Sequence, residues 1–171
     1  MLTSKKPVHP IDELKAVLDY SPFSGVFNWK VSPNSRVAVG SQAGTVDFWG
    51  YRKISYKRKM YKCHKLAWYF MTGVMPDFQI DHEDGIKTNN SWINLRPCNS
   101  SNNQANSGLR KNNTSGFKGV SFIKKSGKFM ASIKHNYRLK NLGLFDSAEI
   151  AAIVYDITAM ELFGKFAKTN F

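Results

Sequence analysis

Asp81 and His82 stand side by side in QIDHEDGIKTNNSWINLRPCNSSNNQAN, residues 79–106, and asparagines follow them at 89, 90, 94, 99, 102, 103 and 106. Histidine is the side chain whose neutral form is a base near pH 7. Carboxylates and carboxamides are the oxygen ligands that a hard divalent cation prefers. A base for water and a cation for developing charge are together what hydrolysis of a phosphodiester requires. If FQIDH is a strand, Asp81 and His82 point to opposite sides of it. They serve one small site only if a later element packs back over them, and INLRPCN and the Asn-rich segment after it are the candidates.

Glu83 and Asp84 are alternative ligands, although acidic residues in a turn commonly bond their own backbone. His64 is read as starting a helix, where it packs or meets a phosphate, with a catalytic role as the lesser alternative, and His9 and His135 as ordinary surface residues.

The elements around this stretch are legible from periodicity and turn chemistry. IDELKAVLDY after Pro10 predicts a short helix with Leu14, Val17 and Leu18 on its apolar face. Aromatic and β-branched residues in 25–30 and 44–63, punctuated by Gly, predict short antiparallel strands. HKLAWYFMTG predicts a helix stopped by Gly73. From Asn102 the composition turns to Asn, Ser, Gly, Lys and Arg, a linker over 102–114. Beyond it, SGFKGVSFI, GKFMASIK and RLKNLG predict three strands, and 146–164 a helix with Ile150, Ile153, Val154 and Ile157 at helical spacing. Asp146 and Glu149 suggest a capping box at its start. The expected fold class is α+β, with one domain over 1–101 and a second over 115–171.

The 171 residues carry a formal net charge of +13, which favours an anionic partner such as nucleic acid. Residues 51–65 are crowded with Lys and Arg and hold no acid; strand alternation would put Lys57 and Lys59 on one face with Arg52 nearly in line, to meet phosphates or to guard a sheet edge. Cys63 and Cys98 alone exclude a four-thiolate site or a disulfide framework. The first residues lack the apolar stretch of a signal peptide, and no run approaches the roughly 18 apolar residues that span a bilayer. The expectation is a cytoplasmic protein that is not secreted.

Residues 60–106, from YKCHKLAW through IDHEDGIKTNN and INLR to NSSNNQAN, resemble the HNH endonucleases of the phage homing type. The resemblance implies a ββα-metal motif over about 77–106 and a metal-dependent DNA endonuclease working with one divalent ion, Mg²⁺ or Mn²⁺. It assigns Asp81 as metal ligand, His82 as general base and Asn94 as the residue that orients the histidine, with Asn90 also bracing the loop. It puts the helix ligand at Asn103, with Asn102 and Asn106 as competitors. Residues 115–171 resemble the APETALA2 (ethylene-response-factor) DNA-binding domain through GFKGVSF, GKFMASIK and LGLFDSAEIAAIVYD. That resemblance implies double-stranded DNA contacts from Lys118, Phe122, Lys124, Lys128, Phe129 and Lys134. Arg52, Lys57, Lys59, Arg96, Arg110 and Lys111 join them as expected DNA-binding residues. A monomer that nicks is the simplest assembly. The rivals are a non-cleaving DNA-binding regulator with a degenerate nuclease fold and a packaging or RNA-associated protein.

Overall fold

A computed structural model of the chain describes residues 11–171; His9, Pro10 and the N-terminal stretch fall outside them. The chain divides into two compact units, Met1–Arg96 and Pro97–Phe171, each a mixture of helices and antiparallel sheets. No helix among the described residues is long and apolar enough to cross a membrane.

In the first unit, α1 (Asp12–Val17) gives way at once to β1 (Leu18–Tyr20), so the expected helix is shorter than its apolar pattern suggested. Leu14 and Leu18 are buried and Val17 half-buried. β1 pairs antiparallel with β2 (Phe27–Trp29). β3 (Thr45–Val46), β4 (Arg52–Tyr56) and β5 (Lys59–Lys62) form a three-stranded antiparallel sheet. Lys57 and Arg58 are its two-residue hairpin turn, both with positive φ, 46° and 62°. A turn of this hand matches the twist of the flanking strands. Lys57 therefore lies on no strand face, contrary to expectation, and its ammonium pairs with Glu13.

α2 (Cys63–Thr72) places Cys63, Leu66, Ala67 and Phe70 on one stripe against Phe27, Trp29 and Ile54. Gly73 ends it in the left-handed conformation, φ 78°. β6 (Gln79–His82) and β7 (Leu95–Cys98) pair as a two-stranded sheet, joined by a loop whose last turn is the 3₁₀ segment Trp92–Asn94.

The second unit begins with α3 (Ser100–Ala105), which Asn99 caps by accepting from the Asn102 N–H. β8 (Val120–Ile123), β9 (Lys128–His135) and β10 (Arg138–Phe145) form an antiparallel sheet in the order β10-β9-β8. α4 (Ala148–Phe163) packs on it through Ala151 and Ala152 against Val120 and Ala131. Tyr155 lies so close to Gly119 that a Cβ there would meet its ring at 2.0 Å.

Two expectations about α4 are corrected. Its buried face is Ala151, Ala152, Tyr155, Asp156, Ala159 and Phe163, whereas Ile150, Ile153 and Ile157 are about half exposed. The helix is apolar nearly all round, so spacing alone does not choose its face; small residues win because they let the helix approach the sheet. Its cap is Ser147, whose Oγ accepts from the N–H groups of Glu149 and Ile150, while Asp146 pairs with Lys128 at 3.0 Å. His135, expected at the surface, is half-buried with its ring edge-on to Phe163.

Candidate active site

Strand alternation sends Asp81 and His82 to different partners, and both are buried, at 3% and 4% exposure. Asp81 meets Arg96 on β7: Nε donates to Asp81 Oδ2 at 2.9 Å, and a second guanidinium nitrogen lies 2.9 Å from the same oxygen. Arg96 also reaches Glu83 Oε1 at 3.0 Å. Expected to contact DNA, Arg96 is instead 8% exposed, because the carboxylate opposite it on β6 would otherwise be a buried uncompensated charge.

His82 meets the loop. Its Nε2 lies 3.3 Å from Asn90 Oδ1, while Asn90 Nδ2 donates to the Thr88 carbonyl at 3.0 Å. An amide oxygen only accepts, so the contact is a hydrogen bond in the tautomer of His82 that carries its proton on Nε2. Burial holds the His82 pKa below the usual imidazole value, although Asn90 and the carboxylates of Asp84 and Asp81 pull it upward. The ring is neutral at pH 7.

Asn94, which the resemblance makes the orienting asparagine, spends its amide on the loop itself. Its Oδ1 accepts from the Asp84 N–H at 3.0 Å, and its Nδ2 donates to Asp84 Oδ1 at 3.0 Å and to the Asn89 carbonyl at 2.8 Å. Asp84 also accepts from the Ile86 N–H and from Asn89 Nδ2, both at 2.7 Å. Partial burial alone would raise the Asp84 carboxyl, but the bonds from Asn89, Ile86 and Asn94 outweigh it and hold the group below the usual carboxylate range. Asp84 is thus the clamp of the loop. The first unit braces the loop from behind as well. Tyr20 donates its hydroxyl to the Asn90 carbonyl at 2.8 Å, and Gly25, φ +70°, leaves the space in which a Cβ would lie 2.2 Å from the Asn90 carbonyl carbon.

Two rings that sequence reasoning did not assign to the site stand against His82. His64 at the start of α2 is edge-on to it, with centroids 5.2 Å apart, and Tyr51 lies 6.0 Å away. His64 is 5% exposed and its Nδ1 has no hydrogen-bond partner. Burial first, then His82, Lys62 and Lys65, push its pKa down to about 3. The ammoniums of Lys62 and Lys87 lie 4.7 and 4.8 Å from the Tyr51 ring centroid. The basic-aromatic run 51–65 was the available signal for Tyr51 and Lys62; Lys87 stood out only through the fold.

Of the remaining expected residues, Arg52 is half-buried with its guanidinium on the Gly44 carbonyl at 2.7 Å, and Lys59 is exposed on β5. Asn103 lies on α3 in the second unit, as do its competitors Asn102 on the same helix and Asn106 at its C-cap. Arg110 and Lys111 are exposed in the segment after α3. Lys118 is turned inward, with its ammonium on the carbonyls of Ala105 and Lys168, and burial drops its pKa to about 8. Lys124 and Lys134 are exposed. Register pairs Val120 with Ala131 and Phe122 with Phe129, so both phenylalanines share the α4 side of the sheet. They do not flank Lys128 and Lys134, which alternate onto the other side.

Among the described residues no three His, Cys, Asp or Glu side chains converge as metal ligands. Asp81 is nevertheless a buried carboxylate on β6. That donor chemistry fits a hard ion such as Mg²⁺, which binds through one or two carboxylates and keeps much of its water.

A buried carboxylate and an imidazole whose pKa burial lowers, on adjacent strand positions, make a site suited to hydrolysis. The comparisons agree with this class. The family model described as HNH endonuclease matches residues 61–105. Protein 3.8 of Escherichia phage T7 is 34% identical over 122 residues, covering 67% of this chain and 96% of that protein. A protein of Acanthamoeba polyphaga mimivirus named uncharacterized HNH endonuclease L560 is 33% identical over 122 residues, of which it is matched over 61% of its length. The chain belongs to the HNH endonuclease family.

Proposed function

We propose that this chain is a metal-dependent DNA endonuclease of the phage homing type, with His82 as its general base. The observation that carries this reading is the Asn90 contact, which favours the tautomer with its proton on His82 Nε2 and so supports Nδ1 as the base. In the proposed reaction His82 Nδ1 takes a proton from water as the water oxygen bonds to phosphorus. The bond from phosphorus to the 3′ oxygen breaks, and that oxygen leaves with a proton from solvent. Asp81 would hold the divalent ion, which when bound supplies charge stabilisation at the phosphate. Asn103 as a second ligand rests on the resemblance alone.

The second unit is proposed to position the cut. Its three-stranded sheet crossed by one helix supports an APETALA2-like reading, with Lys124, Lys128, Lys134, Arg110 and Lys111 as its phosphate contacts. Phe122, Phe129 and Lys118 drop out of that set because of where their side chains lie.

The test is supercoiled plasmid incubated with protein and Mg²⁺, with EDTA as control. Relaxed or linear product that EDTA abolishes is expected. His82→Ala should lower the rate by about 10²–10⁴ while DNA binding persists. Wild-type rates in that variant remove His82 from the reaction. A second reading, a binder that does not cut, draws on the Arg96 bridge that already neutralises Asp81; plasmid bound but intact in Mg²⁺ and Mn²⁺ selects it.

A further inference from the structure

Between β3 and β4 the chain makes a tight turn whose tip is two adjacent aromatics. Phe48 is 95% exposed and Trp49 69% exposed. Their rings stand 86° apart with centroids at 5.9 Å. A loose loop would let such rings fold back onto apolar surface, but this turn is pinned. Asp47 Oδ1 accepts from the N–H groups of Trp49 at 3.0 Å and Tyr51 at 2.9 Å. The Asp47 N–H donates to the Tyr51 carbonyl at 2.8 Å, the Gly50 N–H donates to the Asp47 carbonyl at 2.9 Å, and Gly50 supplies the left-handed conformation, φ 85°. The tip is presented, with little conformational freedom left to lose on binding.

The root of the turn belongs to the candidate site. Tyr51, two residues past Trp49, is the ring 6.0 Å from His82. Lys87, on the Asn-rich loop, donates to the Trp49 carbonyl at 3.0 Å. Lys62 and Lys87 both stand over Tyr51, so the rings rise from a cationic base beside the imidazole.

We infer that the Phe48–Trp49 tip is a wedge that enters duplex DNA between two base pairs next to the phosphate presented to His82, while Lys62 and Lys87 hold the flanking backbone. The inference rests on the DNA-cutting reading above and names how that site grips its substrate. Charge decides the occupant, because the two lysines at the root match phosphates on either side of an opened step. Area argues against a second copy of the chain. Two aromatics bury about 150–250 Å² each, far below the roughly 1,200 Å² of a stable protein interface. With the rings nearly perpendicular, one lies between base pairs and the other faces the groove wall. Apolar wedges of this kind unstack a step and kink the duplex.

The test uses the full chain in EDTA, so that the duplex stays whole. Hydroxyl-radical footprinting with iron–EDTA first locates the bound stretch, and duplexes carrying 2-aminopurine at successive positions across it then report unstacking. Wild-type protein should raise the fluorescence several-fold at one step. The double variant Phe48→Ala, Trp49→Ala should lose that rise and bind about tenfold more weakly, as expected for one stacked base. Its slope of log affinity against log salt should not change, because the phosphate contacts remain. Trp49→Phe should keep most of the signal, whereas Lys87→Gln should reduce the salt slope and keep the unstacking. Circular dichroism of the double variant should match the parent, since both rings are exposed. A bound wild-type complex with flat fluorescence at every position overturns the wedge and leaves the nuclease reading standing. So does a double variant that unstacks like the parent. Failure of the wild type to bind duplex DNA at all overturns both.

Discussion

Asn90 is buried and carries the contact on which the proposed role of His82 rests, so the sharpest residue-scale test gives it a charge, at the cost of its Nδ2 bond to the Thr88 carbonyl. Asn90→Asp places a carboxylate about where the amide oxygen now lies, 3.3 Å from Nε2. A carboxylate there favours the imidazolium and raises the His82 pKa. The acidic limb of the cleavage pH–rate profile should therefore move to higher pH than in the parent, whose base is held low by burial. An unmoved limb disconnects Asn90 from the base. His64 bears on stability instead. Its folded pKa, about 3, lies below the ordinary 6.5, so the unfolded chain binds the extra proton between those values. The contribution of His64 to stability is full above pH 6.5 and falls on acidification, by up to about 1.4 kcal/mol per pH unit, until pH 3. Urea melts across that window should show His64→Phe, which cannot titrate, losing less stability than the parent. Arg96→Met removes the guanidinium that pairs with the buried Asp81 carboxylate and should cost on the order of 3–5 kcal/mol by the same melts. The types of these residues were legible in the sequence, but their partners were not. Asn90 and Asn94 are equally good carboxamides, and only the course of the loop puts one on the imidazole and the other on Asp84.

At the scale of elements, turn chemistry and period fixed the strands and helices well, and failed where two readings of one pattern competed. Gly73 was legible as the stop of α2 because a left-handed residue has few alternatives there. The orientation of α4 was not legible, since isoleucines and alanines both recur at helical spacing and the sheet selects the smaller set. Lys57 was misplaced because Lys-Arg lacks the Asn-Gly signature of a two-residue hairpin turn, although the backbone adopts that turn. The cap of α4 allows a direct check. Ser147→Ala should cost about 1 kcal/mol in a denaturant melt, because two N–H groups lose their acceptor. Asp146→Ala removes only a largely exposed ion pair with Lys128 and should change little. Equal losses from the two substitutions would return the cap to Asp146.

For the molecule as a whole, the surplus of +13 was legible as a preference for anions, and its distribution was not. Some of that charge is spent internally, on Asp81 by Arg96, on Glu13 by Lys57 and on backbone carbonyls by Lys118. Lys59, Lys124 and Lys134 remain exposed. A salt titration of DNA binding should show each of them, replaced by Gln, lowering the slope of log affinity against log salt by about 0.9 if it contacts a phosphate. Lys118→Gln should leave the slope unchanged. The back of the asparagine loop has a different consequence. Gly25 carries no group that could move a proton, yet every other amino acid would drive a Cβ into the Asn90–Ser91 peptide and force a left-handed backbone on an L-residue. In a screen of variants for lost cleavage of plasmid DNA, Gly25 should be hit by substitutions of every chemical kind, whereas the proposed base His82 should be hit because one kind of atom is missing. The screen would thus mark a position with no side chain as strictly as the proposed base.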